Sequence, residues 1–544
     1  MARNNLFSLI QKLSIAFSII LLFAGCASIG PGPKGGPKDK TPPKVLNITP
    51  PDLSRNFKAK KVDITFDEYF KLVDQAKQFS ISPDLARMPT LKVKKKILEI
   101  TIADSLEKNT TYTLNFGKAI VDINEGNILK NFSYVFSTGN DLDSLSLSGT
   151  IRDAWTGKPV LDAVAMILPL SRDSLFGKKR ASIYAVTDSS GNYKINNLRA
   201  NTYKVYVLKD GNSDKIYEQS SDEVGFINEP LVLKGNVQHM DMVLFKENAT
   251  VFKVIDRKLN TDGSISLSLN QKLKKPGITI LDPAKLDADK LVKFTKAGDS
   301  AKVWLTDFGF DSVKVSVTND GKLLQTVKLT RGKKDEYKRT VVPTDNIEGN
   351  LLNPHKTLQF TFGIPIQAVD PTKIILLEDS VPQTDFVVKR DSIDFLTYNF
   401  SYKWKANSAY DITFKPGAFT AIFKTESKEI KKKFEMAKGD DYGTLITKIV
   451  VPEPNKQYLL EVFNEAKKVV NNITVSRDTT VTFANYRSGK YFIRIIYDTN
   501  KNGQWDTGNV KLGVQPEKVW NEPKELSIRA NWDRNETLTL PKEN

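Results

Sequence analysis

The residues whose spacing best suits a chemical role stand near the C-terminus, in the segment DTNKNGQWD. Oxygen-bearing side chains occupy its first, third, fifth and ninth positions, and the seventh residue offers a backbone carbonyl. Gly503 allows the sharp bend that would turn these oxygens towards one point. Hard oxygen ligands of this kind suit Ca²⁺. The predicted metal ligands are Asp498, Asn500, Asn502, Gln504 and Asp506.

This spacing resembles the first nine positions of the calcium loop of EF-hand proteins. The resemblance implies a calcium site, although position 12 holds Asn509 instead of the bidentate Glu of that family. The flanking segments are also predicted to be strands, not helices. We therefore expect weak calcium binding, or a site completed by another carboxylate such as Glu517. The alternative is that Asp, Asn and Gly only build a tight turn here.

A second segment, DGNSDKIYE, has a similar set of oxygen side chains. Lys215 stands in it at the position that Gly503 holds in the C-terminal segment. An ammonium group beside the site would oppose a divalent cation, so we expect weaker calcium binding here than at the C-terminal loop. The candidate ligands are Asp210, Asn212, Asp214 and Glu218.

Cys26 is the only cysteine in 544 residues, and it ends an apolar segment. Arg3 and Lys12 precede that segment, whose apolar run is typical of a secretory signal and too short to cross a bilayer. Leu22-Phe-Ala-Gly-Cys26 resembles the lipobox of bacterial lipoproteins, with Phe23 in place of the usual aliphatic residue. The alternatives are an ordinary signal peptide and an uncleaved anchor with an incidental cysteine.

The lipobox resemblance implies removal of residues 1–25 and attachment of an N-terminal lipid to Cys26, which would be the protein's link to the membrane. Ala27 follows the cysteine, and the absence of an Asp at this position implies delivery to the outer membrane rather than retention at the inner one. Residues 26–43 are rich in Gly, Pro and Lys and are predicted to form a flexible tether.

Length and composition predict several domains without disulfides. A chain of 544 residues with 40% hydrophobic residues can build four or five separate cores. The net charge of +17 comes from lysines scattered through strand patterns, with no arginine-rich block. Together with export, this argues against a nucleic-acid partner. Solvated strand faces explain the charge, and weak attraction to anionic envelope polymers is the alternative.

The fold class predicted from the remaining sequence is all-β. Segments such as Val62–Phe66, Leu98–Ile102 and Tyr112–Phe116 alternate apolar and polar residues between short turns. In residues 44–140, the order of these segments resembles the bacterial Ig-like domain of S-layer and envelope proteins. Residues 141–247, with turns at Gly157-Lys-Pro159 and Asp188-Ser-Ser-Gly191, resemble transthyretin-like modules of the carboxypeptidase regulatory type, which implies a stalk or spacer.

The second half of the chain repeats the first. Asn109–Phe116 matches Asn407–Phe414 at an offset of 298, and Tyr203 matches Tyr491 at an offset of 288. A near-constant offset over separate segments indicates duplication. It predicts a second Ig-like domain at 341–438 and a second transthyretin-like domain at 439–544, with a β-sandwich of unknown family at 248–340. The expected architecture is an elongated array of tandem sandwiches after a cleaved signal helix.

The sequence offers little support for catalysis. It has two histidines, and it contains no metalloprotease motif, nucleophile elbow or phosphate-binding loop. Our first hypothesis is a non-enzymatic outer-membrane lipoprotein, with a structural, adhesive or accessory role and an envelope protein or glycan as its partner. The rival is a surface glycan-binding protein or an accessory subunit of a glycan-processing or secretion system. Its candidate sugar-stacking residues are Trp155, Trp404, Trp505 and Trp520.

Overall fold

A computed structural model describes residues 38–307, 309–332 and 338–543. The signal segment, Cys26 and the tether up to residue 37 lie outside the described residues. Strands hold 49% of the chain and helices 4%, which confirms the predicted all-β class. The chain divides into two compact units, Met1–Leu142 and Asp143–Asn544. In the described residues, no helix is both long and apolar enough to span a membrane.

Strand Lys61–Phe66 shows how unit 1 builds its core, because it buries every second side chain. Val62, Ile64 and Phe66 are fully buried, whereas the residues between them face outward, because side chains alternate across a strand. Its elements are β1 (Val45–Thr49), β2 (Lys61–Phe66), β3 (Phe70–Leu72), α1 (Gln75–Gln78), β4 (Ser80–Ser82), β5 (Thr90–Lys94), β6 (Ile97–Thr101), β7 (Thr111–Asn115), β8 (Ile120–Asp122), β9 (Ile128–Leu129) and β10 (Ser133–Ser137). The sheet orders are β1-β2-β6-β5, β10-β7-β4 and β3-β8-β9.

Unit 2 begins with a two-sheet module whose strand pairs are mostly antiparallel. Its strands are β11 (Leu145–Asp153), β12 (Val164–Pro169), β13 (Tyr184–Val186), β14 (Asn192–Leu198), β15 (Asn201–Lys209), β16 (Glu223–Phe226), β17 (Leu231–Leu233) and β18 (Met242–Leu244). One sheet has the order β14-β11-β18, with β18 parallel to β11, and the other has β13-β12-β15-β16, with β17 also pairing with β15.

The next module has two sheets, ordered β19-β20-β23-β22 and β21-β24-β25. Its strands are β19 (Val254–Leu259), β20 (Ser264–Leu269), β21 (Pro276–Asp282), β22 (Leu291–Phe294), β23 (Ser300–Trp304), β24 (Ser312–Asn319) and β25 (Lys322–Thr330). These orders follow those of β1-β2-β6-β5 and β4-β7-β10 in unit 1. Residues 248–340 carry no family motif. Their strand order nevertheless follows that of two sheets of unit 1.

If unit 1 is counted as the first module, the fourth module has the same three-sheet arrangement as unit 1. Its strands are β26 (Pro343–Asp345), β27 (Leu351–Leu352), β28 (Leu358–Phe362), β29 (Ile366–Val369), β30 (Ile374–Glu378), β31 (Val381–Gln383), β32 (Val387–Arg390), β33 (Thr397–Ser401), β34 (Ala409–Phe414), β35 (Phe419–Ala421), β36 (Thr425–Glu426) and β37 (Ile430–Met436). The orders β26-β28-β33-β32, β37-β34-β30 and β29-β35-β36 match the sheets of unit 1 strand for strand. Strands β27 and β31 extend the middle sheet at its two edges.

The last module repeats the first module of unit 2. Its strands are β38 (Tyr442–Val450), β39 (Gln457–Asn464), β40 (Val469–Val475), β41 (Thr479–Arg487), β42 (Gly489–Asp498), β43 (Val519–Asn521), β44 (Leu526–Ile528) and β45 (Asp533–Thr539). The order β41-β38-β45 again includes a parallel pair, and β40-β39-β42-β43 again carries an extra strand, β44, on β42. The offsets in the sequence thus correspond to repeated strand connections.

Short 3₁₀ helices lie between some strands of unit 2. They are Leu170–Leu175, Ala284–Asp287, Pro371–Lys373, Ile422–Lys424 and Gly439–Asp441. Each module has its own hydrophobic core, and the third and fourth modules also share contacts. Trp304 of β23 packs into the core of residues 341–436 and meets Phe395 edge to face, with ring centroids 5.8 Å apart. Apolar burial therefore stabilises both the modules and their junctions.

Candidate functional site

The C-terminal candidate loop starts at the last residue of β42. Asp498 is 1% exposed, and its carboxylate is already bonded within the protein. Its Oδ1 accepts the backbone N–H of Asn502 at 3.0 Å, and its Oδ2 accepts that of Gly503 at 2.7 Å. The side chain of Gln457 on the neighbouring strand β39 donates to the same Oδ2 at 2.6 Å. Asp498 therefore closes the bend that Gly503, with φ of 74°, makes possible.

The structure brings two further predicted ligands, Asn500 and Asn502, into contact with Asp506. The side-chain amides of Asn500 and Asn502 donate to its Oδ2 at 2.5 and 2.6 Å. Gln504 contributes its backbone N–H to the Asn502 side chain at 2.8 Å. Asp498, Asn500, Asn502 and Asp506 thus belong to one small hydrogen-bonded loop.

Glu517 reaches this loop from the following segment. Its carboxylate accepts the backbone N–H groups of Thr499 at 2.7 Å and Asp506 at 3.0 Å. Burial raises the pKa of Glu517, and the nearby carboxylates of Asp506 and Asp498 raise it further. A cation would relieve this repulsion. Among the residues that the structure describes, however, no three Asp, Glu, His or Cys side chains form a metal-ligand group. Calcium binding here stays a prediction.

The N-terminal candidate loop follows β15 and has the same local bonding. Asp210 accepts the backbone N–H groups of Asn212, Ser213 and Lys215, and the Asn212 side chain donates to Glu218 at 2.9 Å. Lys215 has φ of 60°, close to that of Gly503. Its side chain is buried, with Nζ 4.8 Å from the centre of the Tyr184 ring. The two loops therefore share a turn, and they differ in the cation that Lys215 places beside the first one.

Both loops lead into a contact between the first and the last module of unit 2. Glu247, 7% exposed, accepts hydrogen bonds from Tyr217 near the end of the first loop and from Gln219 directly after it. Its other oxygen accepts the backbone N–H of Val510, which follows the second loop, at 2.5 Å. Thr507 donates to the backbone carbonyl of Lys246 at 2.6 Å. One buried carboxylate thus joins two segments that are 263 residues apart in the chain.

Aromatic side chains extend this contact. Trp155 and Trp505 pack at 5.2 Å between ring centroids, and the guanidinium of Arg494 lies 4.0 Å from the centre of the Trp155 ring. Arg494 also pairs with Glu461 at 3.1 Å, and each of these two side chains is 14% exposed. A cation over an indole face that is largely shielded from water is a favourable arrangement. We call this contact, between the modules of residues 145–247 and 442–540, the clasp.

The clasp corrects one part of the predicted architecture. An end-to-end array would leave each sandwich in contact only with its neighbours in the sequence. Inside unit 2, the first and last modules instead contact each other directly, through Glu247, Trp155 and the loop after β42. The physical reason is that the long segment between β42 and β43 presents Trp505 and Val510, which pack against the core around Phe245.

The predicted sugar-stacking tryptophans are engaged in packing. Trp155 and Trp505 are half-buried in the clasp, Trp404 packs on the core of residues 341–436, and Trp520 packs on the core of residues 445–540. The exposed tryptophan is Trp532, at 54%, which sequence reasoning did not single out. Its neighbours Arg529, Asp533 and Asn535 are polar, and this was the signal available in the sequence.

Calcium should raise the melting temperature of the chain that starts at Ala27, and should do so more than magnesium, because hard carboxylate and amide oxygens at a flexible bend suit Ca²⁺. With few charged ligands, we expect an affinity on the order of 10⁻⁴–10⁻³ M. Thermal denaturation with millimolar CaCl₂, MgCl₂ or EDTA measures the gain. Asp506→Asn should abolish it, whereas the matched variant Glu218→Gln should preserve most of it. Identical curves in calcium and EDTA would leave the loop as a turn.

A separate carboxylate cluster in unit 1 affects the pH dependence of stability. Burial raises the pKa of Glu68, and the carboxylates of Asp122, Asp67, Asp39 and Glu125 raise it further. Because the folded state favours the protonated form, Glu68 supports folding below the ordinary Glu pKa. This support is lost as the pH rises through that value towards the higher folded-state pKa. At neutral pH, the charged group opposes folding.

Glu68→Gln should therefore raise the melting temperature of the protein at pH 7, and the gain should vanish below about pH 4, where the wild-type side chain is protonated. Glu99→Gln is the matched control, because a hydrogen bond from Lys94 lowers the pKa of Glu99 and favours its charged form. That variant should melt at a lower temperature at pH 7. A gain from Glu68→Gln that persists unchanged at pH 3 would contradict the electrostatic explanation.

With the sheets and loops defined, comparison with known proteins identifies one domain. Residues 39–138 match the family model of the bacterial Ig-like domain. These residues form unit 1, where the sequence resemblance to this family was found. No curated protein matches the chain. The Ig-like assignment thus covers the first domain, and the transthyretin-like resemblance of the two modules in the clasp stays a prediction.

Solved structures that resemble the chain include a pilin, an S-layer protein and an L,D-transpeptidase. The major pilin subunit BcpA of Bacillus cereus is 12% identical, with 73% of this chain and 99% of that chain covered, at a TM-score of 0.13. The S-layer protein rSbsC(31-844) is 14% identical, with 89% and 67% covered, at 0.14. An L,D-transpeptidase from Mycobacterium smegmatis is 12% identical, with 38% and 90% covered, at 0.14. TM-scores this low carry no argument about function.

Proposed function

We propose that this protein is a non-enzymatic, lipid-anchored component of the bacterial cell envelope, with a structural or adhesive role. The observation that carries the proposal is the repeated construction of the chain. A bacterial Ig-like domain at residues 39–138 is followed by modules that reuse two sets of sheet connections. A chain of repeated small sandwiches can act as a spacer and can offer binding surfaces to other envelope components. Each module here has its own hydrophobic core. The sequence of the leader, ending at Cys26, supports attachment to a membrane.

Three buried carboxylates with several hydrogen-bond partners each support a structural role. Asp498 and Glu247 are buried, and their oxygens accept hydrogen bonds that close a turn and hold the clasp. Glu378, also buried, binds Tyr402 at 2.6 Å and Lys405 at 3.0 Å. Carboxylates whose lone pairs are taken up by such bonds stabilise the fold rather than serve as free acids or bases.

A gene deletion tests this proposal. We expect the deletion strain to leak a periplasmic reporter enzyme or to lose attachment to surfaces, and expression of the wild-type chain should restore the phenotype. The purified chain should release no reducing ends or peptides from isolated envelope polymers above the level of a buffer control. Release of such products by the wild-type chain, and its loss on substitution of one acidic residue, would overturn the non-enzymatic role.

A further inference from the structure

The last module holds a depression that takes part neither in the clasp nor in the candidate calcium loops. It lies between β44 and the start of β45 and has a volume of about 610 Å³. Trp532 stands at its edge and is 54% exposed. The other five tryptophans of the chain are buried or half-buried. The exposed part of the Trp532 indole is therefore available for stacking on a ligand ring.

Polar groups that line the depression are bonded to one another. Arg534 donates through Nε to Glu536 at 2.8 Å and through Nη1 to the backbone carbonyl of Ser527 at 2.8 Å. Lys524 also binds Glu536, at 2.9 Å. Charge-assisted bonds of this kind hold the side chains in one geometry. Arg534 and Glu536, which line the depression, are thus bonded to other groups of the protein.

The lining of the depression also includes an aromatic ring, a cation and groups that can form hydrogen bonds. The guanidinium of Arg529 lies 5.3 Å from the centre of the Trp532 ring. Asp533 and Asn535 are exposed at alternate positions of β45, and both line the depression. A pyranose ring presents C–H groups on its face and hydroxyls around its edge. The indole can stack on the ring face, and the carboxylate and the amide that line the depression can bond hydroxyls.

We propose that this depression binds an acidic polysaccharide, with a pyranose ring stacked on Trp532 and a sugar carboxylate paired with Arg529. Arg534 is paired with Glu536, so the guanidinium of Arg529 beside the indole is the positive charge that favours an acidic sugar over a neutral one. The site requires neither the lipid on Cys26 nor calcium. It goes beyond the structural role, because a protein with that role can lack any glycan ligand.

Binding of polygalacturonate to the chain that starts at Ala27 tests the site, with dextran as the neutral comparison. The wild-type chain should bind polygalacturonate, more weakly as salt increases, and should bind dextran poorly. Trp532→Ala should weaken binding roughly tenfold through the lost stacking, and Trp532→Phe should weaken it less. Arg529→Gln should weaken binding to polygalacturonate and leave dextran unaffected. Leu512→Ala, an exposed site on the same module, is the matched control and should bind like the wild type.

Several results would overturn the assignment. They are the absence of wild-type binding, equal binding by wild type and Trp532→Ala, and dextran binding as tight as polygalacturonate binding. Melting temperatures of all variants show whether a loss reflects unfolding. If Trp532→Ala is unfolded, Trp532→Phe takes its place. Binding of polygalacturonate by Trp532→Phe that is as tight as binding by Leu512→Ala would then overturn the assignment. Envelope leakage in a strain that expresses Trp532→Ala separates the two proposals, because the structural role should survive this substitution.

Discussion

Cys26→Ser should move the protein from the membrane fraction to the soluble periplasmic fraction, or leave it as an uncleaved precursor. The lipobox-like segment before Cys26 implies that its thiol carries the lipid, and a serine hydroxyl cannot form the same thioether. Acyl chains contribute about 0.8 kcal/mol for each buried CH₂, so two or more chains hold a protein durably where one does not. The expected change is close to complete, which makes it the largest effect that we predict.

Fractionation of cell envelopes, followed by detection of the protein in the membrane and soluble fractions, measures this effect. Metabolic labelling with a fatty acid should mark the wild-type protein and leave Cys26→Ser unlabelled. Phe23→Leu is the matched control, because it brings the segment closer to the lipobox pattern and should keep the anchor. Recovery of the wild-type chain as a soluble, unlabelled protein would contradict a lipid anchor.

The second large effect is expected from Gly508→Val, which should open the clasp. A Cβ atom at position 508 would lie 2.6 Å from a ring carbon of Phe245 and 2.7 Å from the carbonyl oxygen of Val514. Phe245 is 2% exposed and belongs to the other module, so it cannot move aside without a shift of the modules, whereas the Val514 carbonyl limits movement within the loop itself. Overpacking of this kind costs about 1–3 kcal/mol. Separation would also remove the Val510 hydrogen bond from buried Glu247.

Thermal denaturation and tryptophan fluorescence check the clasp. We expect the melting temperature to fall by several degrees and the emission to shift to the red, because Trp155 and Trp505 would become exposed to water. Gly235→Ala is the matched control, since a Cβ at that glycine meets no atom within 4 Å. If Gly508→Val and Gly235→Ala behave alike, the two modules do not depend on this contact.

The strands and their repetition could be predicted from the sequence. Alternation such as that of Val62, Ile64 and Phe66 reports local amphipathicity, and a strand with one apolar face must bury it against a second sheet. The offset between Asn109–Phe116 and Asn407–Phe414 likewise corresponds to β7 and β34, which hold equivalent places in their sheets. Such features depend on residues that are close in the chain, so they can be read without the tertiary structure.

The candidate loops were predictable for a similar reason. Asp498, Asn500, Asn502 and Asp506 lie within nine residues, and the turn at Gly503 brings their side chains into one hydrogen-bonded group. The partner at Glu517 was also within reach of sequence reasoning, because only a short segment separates it from the loop. What the spacing does not establish is the affinity for a cation, which depends on the charge and geometry that the whole loop can supply.

The tertiary structure alone decided which modules touch and which aromatic side chains reach solvent. The bond between Val510 and Glu247 joins distant segments, and their contact depends on two folded surfaces rather than on any local pattern. The same holds for the tryptophans: Trp505 and Trp532 both stand among polar residues, yet one is covered by Trp155 and the other is exposed. Burial is a property of the packed surface around a side chain, and the chain sequence specifies that surface only through the complete fold.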